Sequence, residues 1–114
     1  MNPDDRVKKY LRNILQFLNE IKTDKEGLFS SLEPSHTQSL KLVAMDLIQI
    51  GENVNRVMRK SPELLEKETK IPWGSIIGFR NIAVHDYDGI DEEVVRKIIT
   101  HNLDPLEEAI KRIV

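Results

Sequence analysis

This 114-residue chain predicts an all-α fold, an antiparallel bundle of four to five helices. Three observations carry that reading. Apolar residues recur at spacings of three and four almost throughout, and no segment sustains the alternation of a half-buried strand. Turn-forming residues fall between the periodic stretches rather than inside them. The length suits one domain spanning residues 1–114, large enough to bury a core without cross-links.

The first helix starts near Asp4 or Asp5, with Val7, Tyr10, Leu11, Ile14, Leu18 and Ile21 as one stripe. Tyr10 and Phe17 belong to the core and its margin. The stretch Thr23-Asp24-Lys25-Glu26-Gly27 breaks the pattern, and residues 28–34 are ambiguous, a short turn being one reading. A long second helix follows from about Ser35 to Arg59, its seam formed by Leu40, Val43, Leu47, Ile50, Val54 and Val57. Gly51 sits in this seam at a cost of about 1 kcal/mol relative to Ala, which close approach of a neighbouring helix would offset.

Ser61-Pro62 reads as an N-cap followed by a first-turn proline, opening a short helix that ends before Ile71-Pro72. A third substantial helix begins between Pro72 and Ser75, carries Ile76, Ile77, Phe79, Ile82, Ala83 and Val84, and dissolves near Asp86-Tyr87-Asp88-Gly89. Trp73 reads as a packing anchor rather than a platform for stacking bases. Asp91 caps the last helix, with Ile90 and Val95 at the two positions of a hydrophobic staple. Asp104-Pro105 followed by Glu107 reads as a second start with a capping box. This helix therefore either kinks near Asn102 or is two helices in series.

Composition excludes several function classes. There is no cysteine, which rules out thiolate nucleophiles and Cys-ligated metals and fits a reducing compartment. The first residues are acidic and polar, unlike a signal peptide, and the most apolar run, residues 42–50, is interrupted by Asp46 and Gln49. It falls far short of the roughly 20 apolar residues of a membrane span, so a cytoplasmic location is expected. Seventeen basic residues against nineteen acidic ones give a net charge of −2, with no general attraction for phosphate backbones. A nucleic-acid partner would have to be recognised by a local site or an assembled oligomer.

No metal or other cofactor is expected. His36, His85 and His101 share no ligand spacing, and no glycine-rich phosphate loop occurs. Asp86, Asp88, Asp91, Glu92 and Glu93 lack the other positions of a calcium loop, and Asp91 to Glu93 are accounted for as a helix start.

One segment stands apart. Arg80, Asn81, His85, Asp86 and Tyr87 gather five polar or ionisable groups at the end of an otherwise apolar helix. Asn81 and His85, four apart, share a helix face. Arg80 and His85, five apart, are about 140° from one another on an ideal helix. Arg80 would reach the same pocket through its long side chain, through distortion near the helix end, or across a dimer interface. Such a set could cleave an RNA phosphodiester. A histidine moves protons near neutrality, and a guanidinium holds the scissile phosphate and its developing charge. Asn81 would orient phosphate or imidazole. The same residues also admit a purely structural reading: Arg80 paired with Asp86 or Glu52, His85 capping the helix, and Tyr87 packed on the bundle.

Arg80-Asn81-Ile82-Ala83-Val84-His85-Asp86-Tyr87 resembles the Arg-x4-His-x-Tyr motif of HEPN-domain proteins of the HepT type, the DUF86 family. Ile50-Gly51-Glu52 resembles the Ile-Gly-Glu of that family's second long helix, and Ile71-Pro72-Trp73 resembles its lead-in to the motif. The resemblance covers nearly the whole chain. It implies a HEPN-type bundle that forms a homodimer with its motifs at the interface, acting as a metal-independent endoribonuclease toxin on RNA. It further implies a minimal nucleotidyltransferase antitoxin that silences the toxin by AMPylation of the motif tyrosine. Carried over by position, Arg80 and His85 would be catalytic, Asn81 supporting and Tyr87 the modified residue. Glu52 is a possible supporting residue, contacting the motif helix through Arg80 or capping a polar layer. The alternative is a non-catalytic helical module that binds a nucleotidyltransferase or a nucleotide.

Overall fold

In a computed structural model, the backbone is described for residues 5–29, 35–85 and 91–114, and the side chains for all of these except 29, 35–37 and 82–85. All elements among them are helical: α1 Asp5–Asp24, α2 Ser35–Lys60, α3 Pro62–Glu66, α4 Trp73–His85, α5 Glu92–His101 and α6 Leu103–Ile113. A 3₁₀ turn, Lys25–Phe29, extends α1. The molecule measures 49 × 25 × 23 Å, its long axis set by the 26-residue α2.

The core is the one that the periodicity anticipates. Val7, Leu11, Ile14, Leu18 and Ile21 of α1 are buried with Val43, Leu47, Ile50, Val54 and Val57 of α2. Leu40, Tyr10 and Phe17 pack half-buried against this cluster. The two helices run antiparallel: Tyr10 meets Arg56, and further along α1 Asn13 Nδ2 donates to Asn53 Oδ1 at 3.1 Å, earlier on α2. Leu103, Leu106, Ala109 and Ile110 complete the core from α6. Lys22 of α1 meets Glu107 of α6 at 2.9 Å.

Helix α4 is fixed at two points, and these place the motif. Trp73 is 8 % exposed, and its indole N–H donates to the Leu65 carbonyl at 2.9 Å and to that of Glu68 at 3.2 Å. This ties the first turn of α4 to α3, the anchor that the sequence predicts. Further along, α4 crosses Gly51 of α2. A Cβ there would lie 2.6 Å from Arg80 Cβ and 3.0 Å from the Ile76 carbonyl oxygen. The missing side chain is therefore what lets the two helices approach this closely.

The predicted boundaries need two corrections. Ser61 precedes α3, but its side chain makes no capping hydrogen bond. Asp104 is not a cap either: α6 already begins at Leu103, and Asn102 holds the N-cap position with αR backbone angles. The chain stays close to helical through the joint, Asn102 N donating to the Ile98 carbonyl and Leu106 N to that of Asn102. Pro105 is accommodated within the first turn, where its missing N–H has no helical partner to lose. Glu107 turns outward to Lys22 and Lys111 instead of closing a capping box. Asp91 does cap α5, accepting from Glu93 N at 2.9 Å. Ile90, the other half of the predicted staple, lies outside the described residues, while Val95 is buried.

Candidate functional site

Arg80 leaves α4 beside Gly51 and lies along α2 to reach Glu52. Its Nε and Nη2 both stand 2.7 Å from Glu52 Oε2. Its Nη1 donates to Asn81 Oδ1 at 2.8 Å. Of the two carboxylates considered for Arg80, Glu52 is the partner; Asp86 lies outside the described residues. The side chains of Arg80 and Glu52 are 28 % and 26 % exposed. That is enough shielding to hold the guanidinium in one orientation, and enough access for a ligand to reach it. Partial solvent screening keeps the pair's worth near the top of the surface range, about 1 kcal/mol.

A guanidinium has five N–H donors. Among the described residues, Glu52 and Asn81 account for three of them, leaving one on Nη1 and one on Nη2 for a further acceptor. Two adjacent N–H groups in a fixed plane match two oxygens of a phosphate.

Glu52 serves a second arginine. Its Oε1 lies 3.5 Å from Arg56 Nε, one turn along α2. The Arg56 guanidinium in turn lies 5.6 Å from the centroid of the Tyr10 ring, a cation–π contact. Behind this row, Asn53 is buried, accepting from Asn13 and donating to the Gln49 carbonyl at 2.8 Å. Sequence reasoning missed Arg56 and assigned Tyr10 only to the core margin. The signal available for Arg56 was its i, i+4 spacing from Glu52.

The structure thus brings Arg80, Asn81 and Glu52 together. His85 is the last residue of α4, with its side chain outside the described set, and Tyr87 lies wholly outside it. Among the described residues, no group of three His, Asp or Glu side chains could hold a metal ion, and no helix is long and apolar enough to cross a membrane. A cleft of about 530 Å³ opens beside Lys67, Glu68, Lys70 and Arg112, away from Arg80; there Arg112 Nε donates to Glu68 at 3.0 Å.

Comparison with known proteins identifies the family. A 64-residue stretch is 33 % identical to "Putative RNase TTE0752" of Caldanaerobacter subterraneus subsp. tengcongensis, covering 56 % of this chain and 54 % of that protein. The chain thus spans about half the length of that relative. It is 24 % identical over 106 residues to "Putative RNase MJ1380" of Methanocaldococcus jannaschii, covering 92 % of this chain and 94 % of the relative. "Putative RNase MJ1216" of the same organism is 20 % identical over 113 residues, covering 98 % and 90 %. No solved structure matches the chain. The family described as "Ribonuclease HepT-like" matches residues 7–113. That span takes in the helices described above except the first two residues of α1, together with Gly51, Glu52 and the whole Arg80–Tyr87 segment, and the chain belongs to the HepT-like ribonuclease family.

Proposed function

We propose that this chain is a metal-independent endoribonuclease toxin, a single domain working as a homodimer in the cytoplasm, with Arg80 and His85 as its catalytic residues. The observation that carries the reading is Arg80 itself. Glu52 and Asn81 hold its guanidinium on the motif helix, and among the described residues two of its N–H donors remain for a phosphate.

In this reading Arg80 binds the scissile phosphate and stabilises the charge that builds on its oxygens. One His85 takes the proton of the 2′-hydroxyl as that oxygen attacks phosphorus. The His85 of a second copy protonates the departing 5′-oxygen, leaving a 2′,3′-cyclic phosphate and a free 5′-hydroxyl. The 140° separation between Arg80 and His85 on one helix favours a composite site of this kind. So does the rest of α4: Ile76, Ile77 and Phe79 point to different sides of the helix, and all remain only half-buried in the single chain. An apolar helix left partly uncovered calls for a further packing partner.

Silencing follows from charge and bulk. A minimal nucleotidyltransferase antitoxin that transfers AMP from ATP to the Tyr87 oxygen, two residues past His85, with release of pyrophosphate and the phenol proton, would set a phosphodiester anion beside the phosphate site. Substrate would be both repelled and sterically excluded.

The test is cleavage of single-stranded RNA in excess EDTA by protein whose intact mass excludes AMP, beside His85→Ala and Arg80→Ala. Cleavage that survives chelation and falls at least about 100-fold in both variants is expected. Cleavage abolished by EDTA would overturn metal independence. Absence of cleavage with retained binding of a nucleotidyltransferase would favour a non-catalytic module.

A further inference from the structure

Basic residues are spread unevenly along this chain of net charge −2. Residues 5–13 of α1 hold Arg6, Lys8, Lys9 and Arg12 against one acid, Asp5. Residues 52–60 of α2 hold Arg56, Arg59 and Lys60 against one acid, Glu52. All the other residues together hold ten basic and seventeen acidic side chains. The antiparallel pairing puts the two basic stretches at the same end of the bundle, where Tyr10 meets Arg56 and Asn13 meets Asn53. The opposite end of the same helix pair has no such basic excess: Glu20, Asp24 and Asp46 gather there, on stretches that also carry Lys22 and Lys41.

The basic end adjoins the motif directly. Arg80 holds one oxygen of Glu52 and Arg56 faces the other, so a single carboxylate separates the two guanidiniums. Arg56 is 46 % exposed even while paired, and it rests on the ring of Tyr10. A guanidinium held over an aromatic ring pairs a π surface for a base with N–H donors for a phosphate. Arg6, Lys9, Arg12 and Arg59 are exposed on the same two stretches.

Resting on the ribonuclease reading above, we infer that Arg56 and Tyr10, flanked by the basic start of α1 and end of α2, form a binding track for single-stranded RNA that leads to Arg80. Arg56 contacts a phosphate beside the scissile one, and its cation–π pair with Tyr10 receives a base. The track explains how a chain of negative net charge engages a polyanion: the charge that matters is local.

The experiment uses full-length protein carrying His85→Ala to prevent turnover. Fluorescence anisotropy measures its binding to a labelled short single-stranded RNA of mixed sequence, from about 50 to 200 mM salt. Arg56→Gln in this background is expected to weaken binding about 5- to 10-fold and to reduce the slope of log K against log salt by about 0.7, the value of one lost phosphate contact. Arg56→Lys restores the slope but not the whole affinity, because the charge returns without the planar stack. Lys41→Gln, the same loss of charge at an exposed position 15 residues earlier on α2, leaves both unchanged. In otherwise wild-type protein Arg56→Gln raises KM with little change in kcat, and thermal melting verifies that it folds.

Unchanged affinity and slope in Arg56→Gln, with cleavage intact in the wild type, would overturn the track and leave the ribonuclease reading standing. An equal loss from Lys41→Gln would overturn it as well, by making the effect one of net charge. If Arg56→Gln spares RNA but weakens binding of an acidic protein partner, the surface is a protein interface and the track is wrong. A wild type that neither binds nor cleaves RNA removes both readings together.

Discussion

Glu52 sits between two arginines without being placed to touch substrate, so its contribution must pass through Arg80. The carboxylate holds Nε and Nη2 of that guanidinium and thereby determines which two N–H groups remain free. Glu52→Gln keeps an acceptor oxygen but removes the charge; Glu52→Ala removes both. The expected result in an RNA-cleavage assay is a fall in kcat of about 10-fold or more for the alanine variant, with KM steady or lower. A released guanidinium still attracts phosphate but no longer presents one geometry to it. Glutamine recovers most of the loss. A purely structural ion pair predicts something else: a shift of about 1 kcal/mol in urea denaturation and no separation of kcat from KM. Unchanged kcat in Glu52→Ala would remove Glu52 from the site.

At the scale of the element, α4 has two unlike sides, and its neighbouring glycines report on them. Gly51 of α2 faces Arg80 and Ile76 so closely that any Cβ would overlap Arg80 Cβ. Gly74 and Gly78, one turn apart on α4, have nothing within 4 Å of where a Cβ would stand. The same substitution therefore has opposite outcomes. Gly51→Ala gains about 1 kcal/mol of helix propensity but overpacks the crossing by about 1–3 kcal/mol, so a net loss of stability is expected in urea denaturation. Gly78→Ala gains the propensity with no clash. Gly78 and Asn81, three apart, share the side of α4 turned away from Gly51, where a second copy would pack. Gly78→Leu is accordingly expected to leave the isolated chain folded and to shift light scattering from dimer to monomer; a dimer that survives Gly78→Leu would move the interface elsewhere. Much at this scale was legible in the sequence. Gly51 as a close crossing, Trp73 as an anchor and Asp91 as a cap each rest on a local steric or hydrogen-bonding demand. Ser61 and Asp104 misled because a good capping residue caps only where the backbone leaves the helix, and at Asn102 it hardly does. Arg56 and Tyr10 were hidden because their meeting depends on how α1 and α2 align, which spacing within one helix cannot reveal.

The whole molecule holds a feature that composition averages away: one of its nineteen acidic side chains is buried in the seam between α1 and α2. Asp46 looked like a polar interruption of an apolar run, yet it is only 6 % exposed, and its Oδ2 has no hydrogen-bond donor to accept from. Periodicity could not show this, since an aspartate inside a seam reads as a flaw in the pattern rather than as a buried acid. Burial raises its carboxyl from an ordinary 3.8 to about 8, and the nearby carboxylates of Asp24 and Glu20 push in the same direction. A proton on Asp46 resolves the orphaned oxygen, turning it into a donor toward those neighbours. The consequence for stability has a definite sign. Between pH 3.8 and about 8 the folded chain holds this proton and the unfolded chain does not. Folding then takes up a proton, so the stabilisation is complete below the unfolded value, declines as pH rises, and is lost above about 8. The decline from this group is at most about 1.4 kcal/mol per pH unit. Asp46→Asn supplies a permanent N–H donor and cannot titrate. Urea denaturation of both proteins at about pH 5 and about pH 8 should therefore show the variant gaining roughly 1–3 kcal/mol on the wild type across that interval. Parallel pH dependences would mean that Asp46 ionises freely in the folded chain, and that its environment is wetter than a burial of 94 % implies.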